Sequence, residues 1–320
     1  MTDQIGALEE GRHGPAVRSV WDRQIRALTA GLVTIITLVA FEALTVVTVL
    51  PNVAADLDGL GLYGWATSAF FLGTTVGIVL AGAGADRDGP ARPFAAGLLL
   101  AAVAPTMGVL VVGRGLQGLG GGAIPLRALR ALPGRPGGGL VPIPIAPAVR
   151  ISAGAGLVLA GLTNRSPLGL PLIAAGIACG LGPLRRLLPA GTLRLRPGIP
   201  AAVAVRGLLT WAFFGADTFV PLSITAVRHA SITTAGLAVS SATLCWTAGS
   251  WTQARLVGRR PYREIIGTGL VLVALGTGGF TTVLLPASVP LAVPIASWGV
   301  ARDGDGDGDV LFDHRHAGPR

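Results

Sequence analysis

Four ionisable residues sit inside long apolar runs of this 320-residue chain: Glu42, Arg114, Arg206 and Asp217. Such groups are costly away from water, and where they occur they pair with one another or carry protons or substrate. A helical rise of 1.5 Å per residue puts Glu42 roughly 12 Å inside one end of its run and Arg114 roughly 10 Å inside one end of its own. If those ends share a membrane face, the two side chains are level and can form an ion pair. Burial favours the protonated form of a carboxyl, and a neighbouring guanidinium favours the ionised form. A carboxyl held between those influences can load and release a proton. A purely structural helix–helix pair is the simpler alternative for Glu42 with Arg114. Asp217 has no arginine level with it except Arg114, because Arg206 lies roughly 16 Å away along the same helix axis. Arg206 falls near the end of its run, where an arginine is expected to extend to the interface.

The elements that must position these groups follow from composition. The chain is 51% hydrophobic and 13% charged, against about a quarter charged in soluble domains. Its apolar residues gather into runs of roughly 20, the length that crosses a hydrocarbon core of about 30 Å. Helix is the expected conformation, because lipid offers backbone polar groups no other partner. The alternating ten-residue segments of a transmembrane barrel are absent from the sequence. Seven runs are clear, at 28–50, 62–83, 107–126, 168–183, 201–226, 232–254 and 265–285, and three shorter ones fall at 93–104, 151–163 and 288–301. The expectation is an all-α polytopic membrane protein.

All 25 basic residues are arginine, and they alternate between loops. The N-terminal tail 1–27, the loop at 84–93 and the stretch 127–135 carry them; the loops at 51–61 and around Pro105 do not. The positive-inside rule then puts the N-terminus in the cytoplasm, and ten crossings return the C-terminus there too. Arg165 and Arg228 are single exceptions on the opposite side. This distribution explains the pI near 11.3 by topology, without nucleic acid. Cys179 and Cys245 lie in separate apolar runs and read as small buried hydrophobes, not a disulfide. No cleavable signal is evident in the polar first 27 residues.

Three stretches resemble motifs of the major facilitator superfamily, drug/proton antiporter branch of the fourteen-span type. "GAGADRDGPARP" (82–93) resembles the loop between its second and third spans, through Gly82, Asp86, Arg87 and Gly89, with Arg92 as a nearby charge. The resemblance implies a cytoplasmic gate whose charged pairs break as it opens, with Gly89 permitting a tight turn. "GRGLQGLGGGAI" (113–124) resembles the fourth-span motif through Arg114, Gln117, Gly118 and Gly120. It implies that Arg114 and Gln117 face a cavity and that the glycines let helices approach closely. Residues 118–123 also fit a dinucleotide fingerprint, but no βαβ unit surrounds them. "FEALTVVTVLP" resembles the first span, with Glu42 as its acid and Pro51 closing the helix; "WAFFGADTFVPL" echoes it in the second half, with Asp217 and Pro221. Such an echo is what internal repeats produce.

The resemblance implies an incomplete major-facilitator-like bundle. Its parts would be a tail (1–27), a first transmembrane bundle (28–126), an irregular Pro/Gly-rich segment at an internal deletion (127–150), two central helices with an inner loop (151–198), a shortened second bundle (199–301) and a polar tail (302–320). The run Asp303, Asp305, Asp307, Gly308 opens like a calcium loop but has His314 where the bidentate acid belongs. The expected function is secondary active transport across the plasma membrane: proton-coupled efflux of small drug-like compounds. Its expected partners are the lipid bilayer, protons and a small-molecule substrate, with no cofactor, metal or nucleic acid. Glu42 and Asp217 would be the coupling carboxylates, and Arg114 with Gln117 their partners. A metabolite or sugar uniporter or importer of the same fold is one alternative, and a non-transporting remnant or scaffold another. No nucleophile–base set or phosphate loop points to an enzyme.

Overall fold

The computed structural model describes residues 26–82, 89–130, 145–256, 259–285 and 288–307. Among them are ten α-helices and no β-strand: α1 (Arg26–Asp56), α2 (Tyr63–Gly82), α3 (Ala91–Ala102), α4 (Met107–Arg130), α5 (Ile145–Thr163), α6 (Gly169–Leu187), α7 (Ile199–Leu222), α8 (Ile232–Leu256), α9 (Tyr262–Phe280) and α10 (Ala292–Asp307). Each coincides with one of the ten apolar runs. By length and composition five helical stretches suffice to cross a membrane: Leu60–Ala81, Ile145–Thr163, Gly169–Leu187, Ile199–Val227 and Arg263–Leu284. The chain is an all-helical, polytopic membrane bundle.

Several boundaries depart from the sequence reading. The run expected at 151–163 is a 19-residue helix beginning at Ile145, because Pro147 falls in its first turn, where a missing N–H costs nothing. At the other side of the expected irregular segment 127–150, α4 continues through Arg130; residues 131–144 lie outside the described residues. Pro51 does not close α1, which runs on to Asp56. A proline removes a single helical hydrogen bond, and packed neighbours in a bundle tolerate that loss. α10 continues through the first residues of the polar tail expected from residue 302, as far as Asp307; Gly308 and the histidines beyond it lie outside the described residues.

Glycines set the packing. α4 lies against α2 so closely that a Cβ on Gly118 would stand 2.1 Å from the Phe70 carbonyl oxygen, and one on Gly77 2.1 Å from that of Leu119. Helix association in lipid depends on such small-residue contacts. α4 also packs on α3, completing a first lobe of α1–α4. The second lobe repeats the plan, with α10 packed on α8 and α9. α5 and α6 form a hairpin held to α2 through α5, where Ser152 Oγ donates to the Leu72 carbonyl at 3.2 Å and Trp65 Nε1 donates to Thr163 Oγ1 at 3.4 Å. The lobes meet through α1 with α7 and α8, and α2 with α7.

The lobes have separate cores. Leu50, Ala54, Tyr63, Ala66, Met107 and Leu110 cluster in the first; Phe213, Val220, Ile224, Val239, Phe280 and Trp298 are among those in the second. Arg228, an exception to the arginine alternation, has a structural explanation. Its Nη1 donates to the Leu285 carbonyl at 3.3 Å and its Nη2 to that of Val289, bracing the connection between α9 and α10.

Candidate functional site

α1 and α4 bring Glu42 and Arg114 together, as the depth count expected. Arg114 Nη1 donates to Glu42 Oε1 at 2.6 Å and to Gln117 Oε1 at 2.7 Å. Gln117 follows Arg114 by three residues, so both project from one face of α4. The Arg114 side chain is 3% exposed and that of Glu42 15%. The Arg114 guanidinium carbon lies 4.5 Å from the centroid of the Phe70 ring, a cation–π contact that adds a second hold on the charge. The glycine crossing at Gly118 puts Phe70 there, because it brings the α2 backbone against α4.

The cluster has spare capacity. Glu42 Oε2, Arg114 Nε and Gln117 Nε2 are buried and make no hydrogen bond among the described residues. Oε2 is an acceptor and the two nitrogens are N–H donors, so the carboxylate is the one member of the three that can take up a proton. The carboxyl can take a proton on Oε2 while Oε1 stays on Arg114.

Asp217, the second expected carboxyl, is 6% exposed and lies on α7 at the seam between the lobes. The next residue, Thr218, accepts the Tyr63 hydroxyl of α2 on its carbonyl at 3.0 Å. The sequence echo pairs Asp217 with Glu42, but packing sets a different register. A Cβ on Gly97 of α3 would stand 2.4 Å from the Gln117 nitrogen and 2.6 Å from the Gly113 oxygen; one on Gly276 of α9 would stand 2.3 Å from the Ala301 nitrogen and 2.6 Å from the Ser297 oxygen. Gly113 and Gln117 therefore correspond to Ser297 and Ala301, and Arg114 corresponds to Trp298. On α7 it is Phe213 that meets Trp298, stacked at 5.0 Å between centroids with 14° between planes, while Phe280 lies 5.4 Å away. Asp217 is one turn further along α7 than this level. Sequence reasoning missed this aromatic group; its faint signal is the parallel between "GRGL" (113–116) and "SWGV" (297–300). Arg206 is half-buried with Nη1 enclosed by protein.

Of the expected gating loop, Gly82 ends α2, Arg92 is exposed in the first turn of α3, and Gly89 has φ +85°, the left-handed region that suits glycine. Asp86 and Arg87 lie outside the described residues. Cys179 and Cys245 are free thiols. A cavity of about 730 Å³ opens between α2, α5 and α7, with Phe71, Val158, Trp211 and Phe214 on its walls and the hydroxyls of Thr67 and Thr210 among them.

No protein-family profile matches the chain. It is 34% identical over 102 residues to a multidrug transporter protein of Bacillus subtilis, covering 30% of this chain and 19% of that protein. It is 32% identical over 96 residues to a probable multidrug-efflux transporter of Mycobacterium tuberculosis, covering 28% and 20%. It is 37% identical over 90 residues to an uncharacterized transporter of the major facilitator type from the same organism, covering 26% and 13%. The matched part thus spans a fifth or less of the length of these relatives.

Proposed function

We propose that the chain acts as a secondary active transporter of small molecules in the plasma membrane, exporting lipophilic, drug-like compounds in exchange for protons. The observation that carries this reading is the buried Glu42–Arg114–Gln117 cluster, in which one guanidinium nitrogen holds both a carboxylate and an amide oxygen inside the bundle. Glu42 is the proton carrier, Arg114 its electrostatic partner, and Gln117 the group that fixes the guanidinium. The partial relatives, named as multidrug transporters, support the substrate class. The cavity between α2, α5 and α7, apolar and aromatic with a few hydroxyls, suits such cargo. Asp217 is a second carboxyl on the path between the lobes. Residues 82–92, including Asp86 and Arg87, form the cytoplasmic gate, and both termini face the cytoplasm.

The test is reconstitution of the full chain in liposomes with an imposed pH gradient, following the fluorescent lipophilic cation ethidium. Gradient-driven movement is expected from the natural chain and none from Glu42→Gln, which keeps the shape and removes the titrating group. Equal movement in both, or none in the natural chain, refutes the reading.

A further inference from the structure

Among the described residues, several contacts between the two lobes gather toward one end of the bundle. Tyr63, the first residue of α2 and 1% exposed, donates its hydroxyl to the Thr218 carbonyl at 3.0 Å, and its ring centroid lies 5.6 Å from that of Phe219. Leu222 of α7 packs into the first lobe's core and Leu44 of α1 into the second lobe's. A Cβ on Gly236 of α8 would stand 3.2 Å from Thr48 Cγ2 of α1. Phe71 meets Phe214 edge-on at 5.4 Å. All these residues lie in the half of the bundle where α1 ends and α2 begins, and where α7 ends and α8 begins.

Tyr63 grips α7 next to an interruption in its hydrogen-bond ladder. Pro221 has no N–H for the Asp217 carbonyl one turn back, and the π-turn Ser223–Val227 follows at once. Such features are where helices bend. The hydroxyl thus ties the first lobe to the segment of α7 that leads into the π-turn, beside a buried carboxyl.

We infer that Tyr63 is a positioning residue that latches the two lobes at the Asp56 end of the bundle, and that this latch, seated on the Thr218–Leu222 segment of α7, opens when the lobes part. The inference rests on the transport reading for its role in a cycle, and the arginine distribution assigns this end to the exterior.

Cysteine chemistry tests it. Thr48→Cys and Gly236→Cys, in a chain also carrying Cys179→Ala and Cys245→Ala, bring two Cβ atoms within the span of a disulfide. Mild oxidation in liposomes is expected to remove both maleimide-reactive thiols; two thiols still reactive overturn the closed seam. Gly236→Cys alone, in the same background, reports opening through its labelling by a membrane-impermeant maleimide. Tyr63→Phe keeps the ring and removes one hydrogen bond, so labelling is expected to rise about 2–10-fold. In the otherwise natural chain Tyr63→Phe is expected to leave labelling of Cys245 unchanged, because that thiol faces Gly299 and not the seam. An unchanged rate at position 236, or an equal rise at Cys245, overturns the latch. Cross-linking is also expected to stop ethidium movement until dithiothreitol is added, and movement that persists when cross-linked overturns the opening step. If ethidium does not move before oxidation, the transport reading fails, and the thiol rates alone still decide the latch.

Discussion

Removing either member of the Glu42–Arg114 pair breaks the same 2.6 Å contact, yet the two losses have different costs. Glu42→Met strands a guanidinium on a residue that is 2% exposed, and arginine cannot escape by shedding its proton. Breaking a buried pair in this way costs about 3–5 kcal/mol. The Phe70 ring still faces the cation at 4.5 Å, so the lower half of that range is expected. Arg114→Met strands a carboxyl, which can escape by taking up a proton. Its penalty at neutral pH is smaller and shrinks further as the medium is acidified, whereas that of Glu42→Met holds until the pH at which Glu42 of the natural chain itself takes up a proton. The double variant replaces both charges by apolar side chains of similar reach and is expected within about 1 kcal/mol of the natural chain. Denaturant titration in mixed micelles, repeated at two pH values, completes the cycle. If the single penalties are equal at both pH values and add up in the double variant, the pair is not coupled and the account of the site is wrong.

Two further outcomes follow from packing alone. Gly118→Ala would put a Cβ 2.1 Å from the Phe70 carbonyl oxygen, a backbone atom that cannot swing aside. It is expected to cost at least about 1–3 kcal/mol, whereas Gly278→Ala in α9, with nothing within 4 Å, is expected to be neutral or to add up to about 1 kcal/mol of helix stability; equal midpoints in the same titration would refute the close crossing. Arg228→Gln is expected to speed hydrogen exchange in the Leu285–Pro290 connection several-fold, since the loop loses its brace from two carbonyls, and unchanged exchange would refute the brace.

What the sequence disclosed divides along physical lines. The ten helices were legible because a lipid core demands apolar runs of set length, and lipid leaves the backbone no alternative to helix. The Glu42–Arg114 contact was legible because depth follows from counting residues. The start of α5 was not, since Pro147 and Arg150 look like loop residues until the first-turn position of the proline is known. Phe70 was not, because its place under Arg114 depends on how closely α2 and α4 cross, a distance that a string of glycines permits but does not state. Asp217 shows a third kind of limit. One-dimensional similarity aligns acid with acid, whereas the backbone contacts of Gly97 and Gly276 fix the register a helical turn away and put Phe213 at the level of the aromatic group.

That register gives the two lobes the same scaffold with different chemistry. The same glycine-mediated crossing supports Arg114 in α4 and Trp298 in α10, so one lobe holds a charge against α1 while the other holds an indole against Phe213 of α7. A proton reaching Glu42 would change the forces between α1 and α4 but leave the aromatic stack of the second lobe as it was. The lobes could respond to such a change only where they touch, and among the described residues the contacts of α1 with the second lobe include Leu44 and Thr48, two and six residues beyond Glu42 on the same helix. The distance from the titrating group to the seam is therefore short and runs through a single element, which makes α1 the segment in which substitutions should alter both proton response and lobe contact.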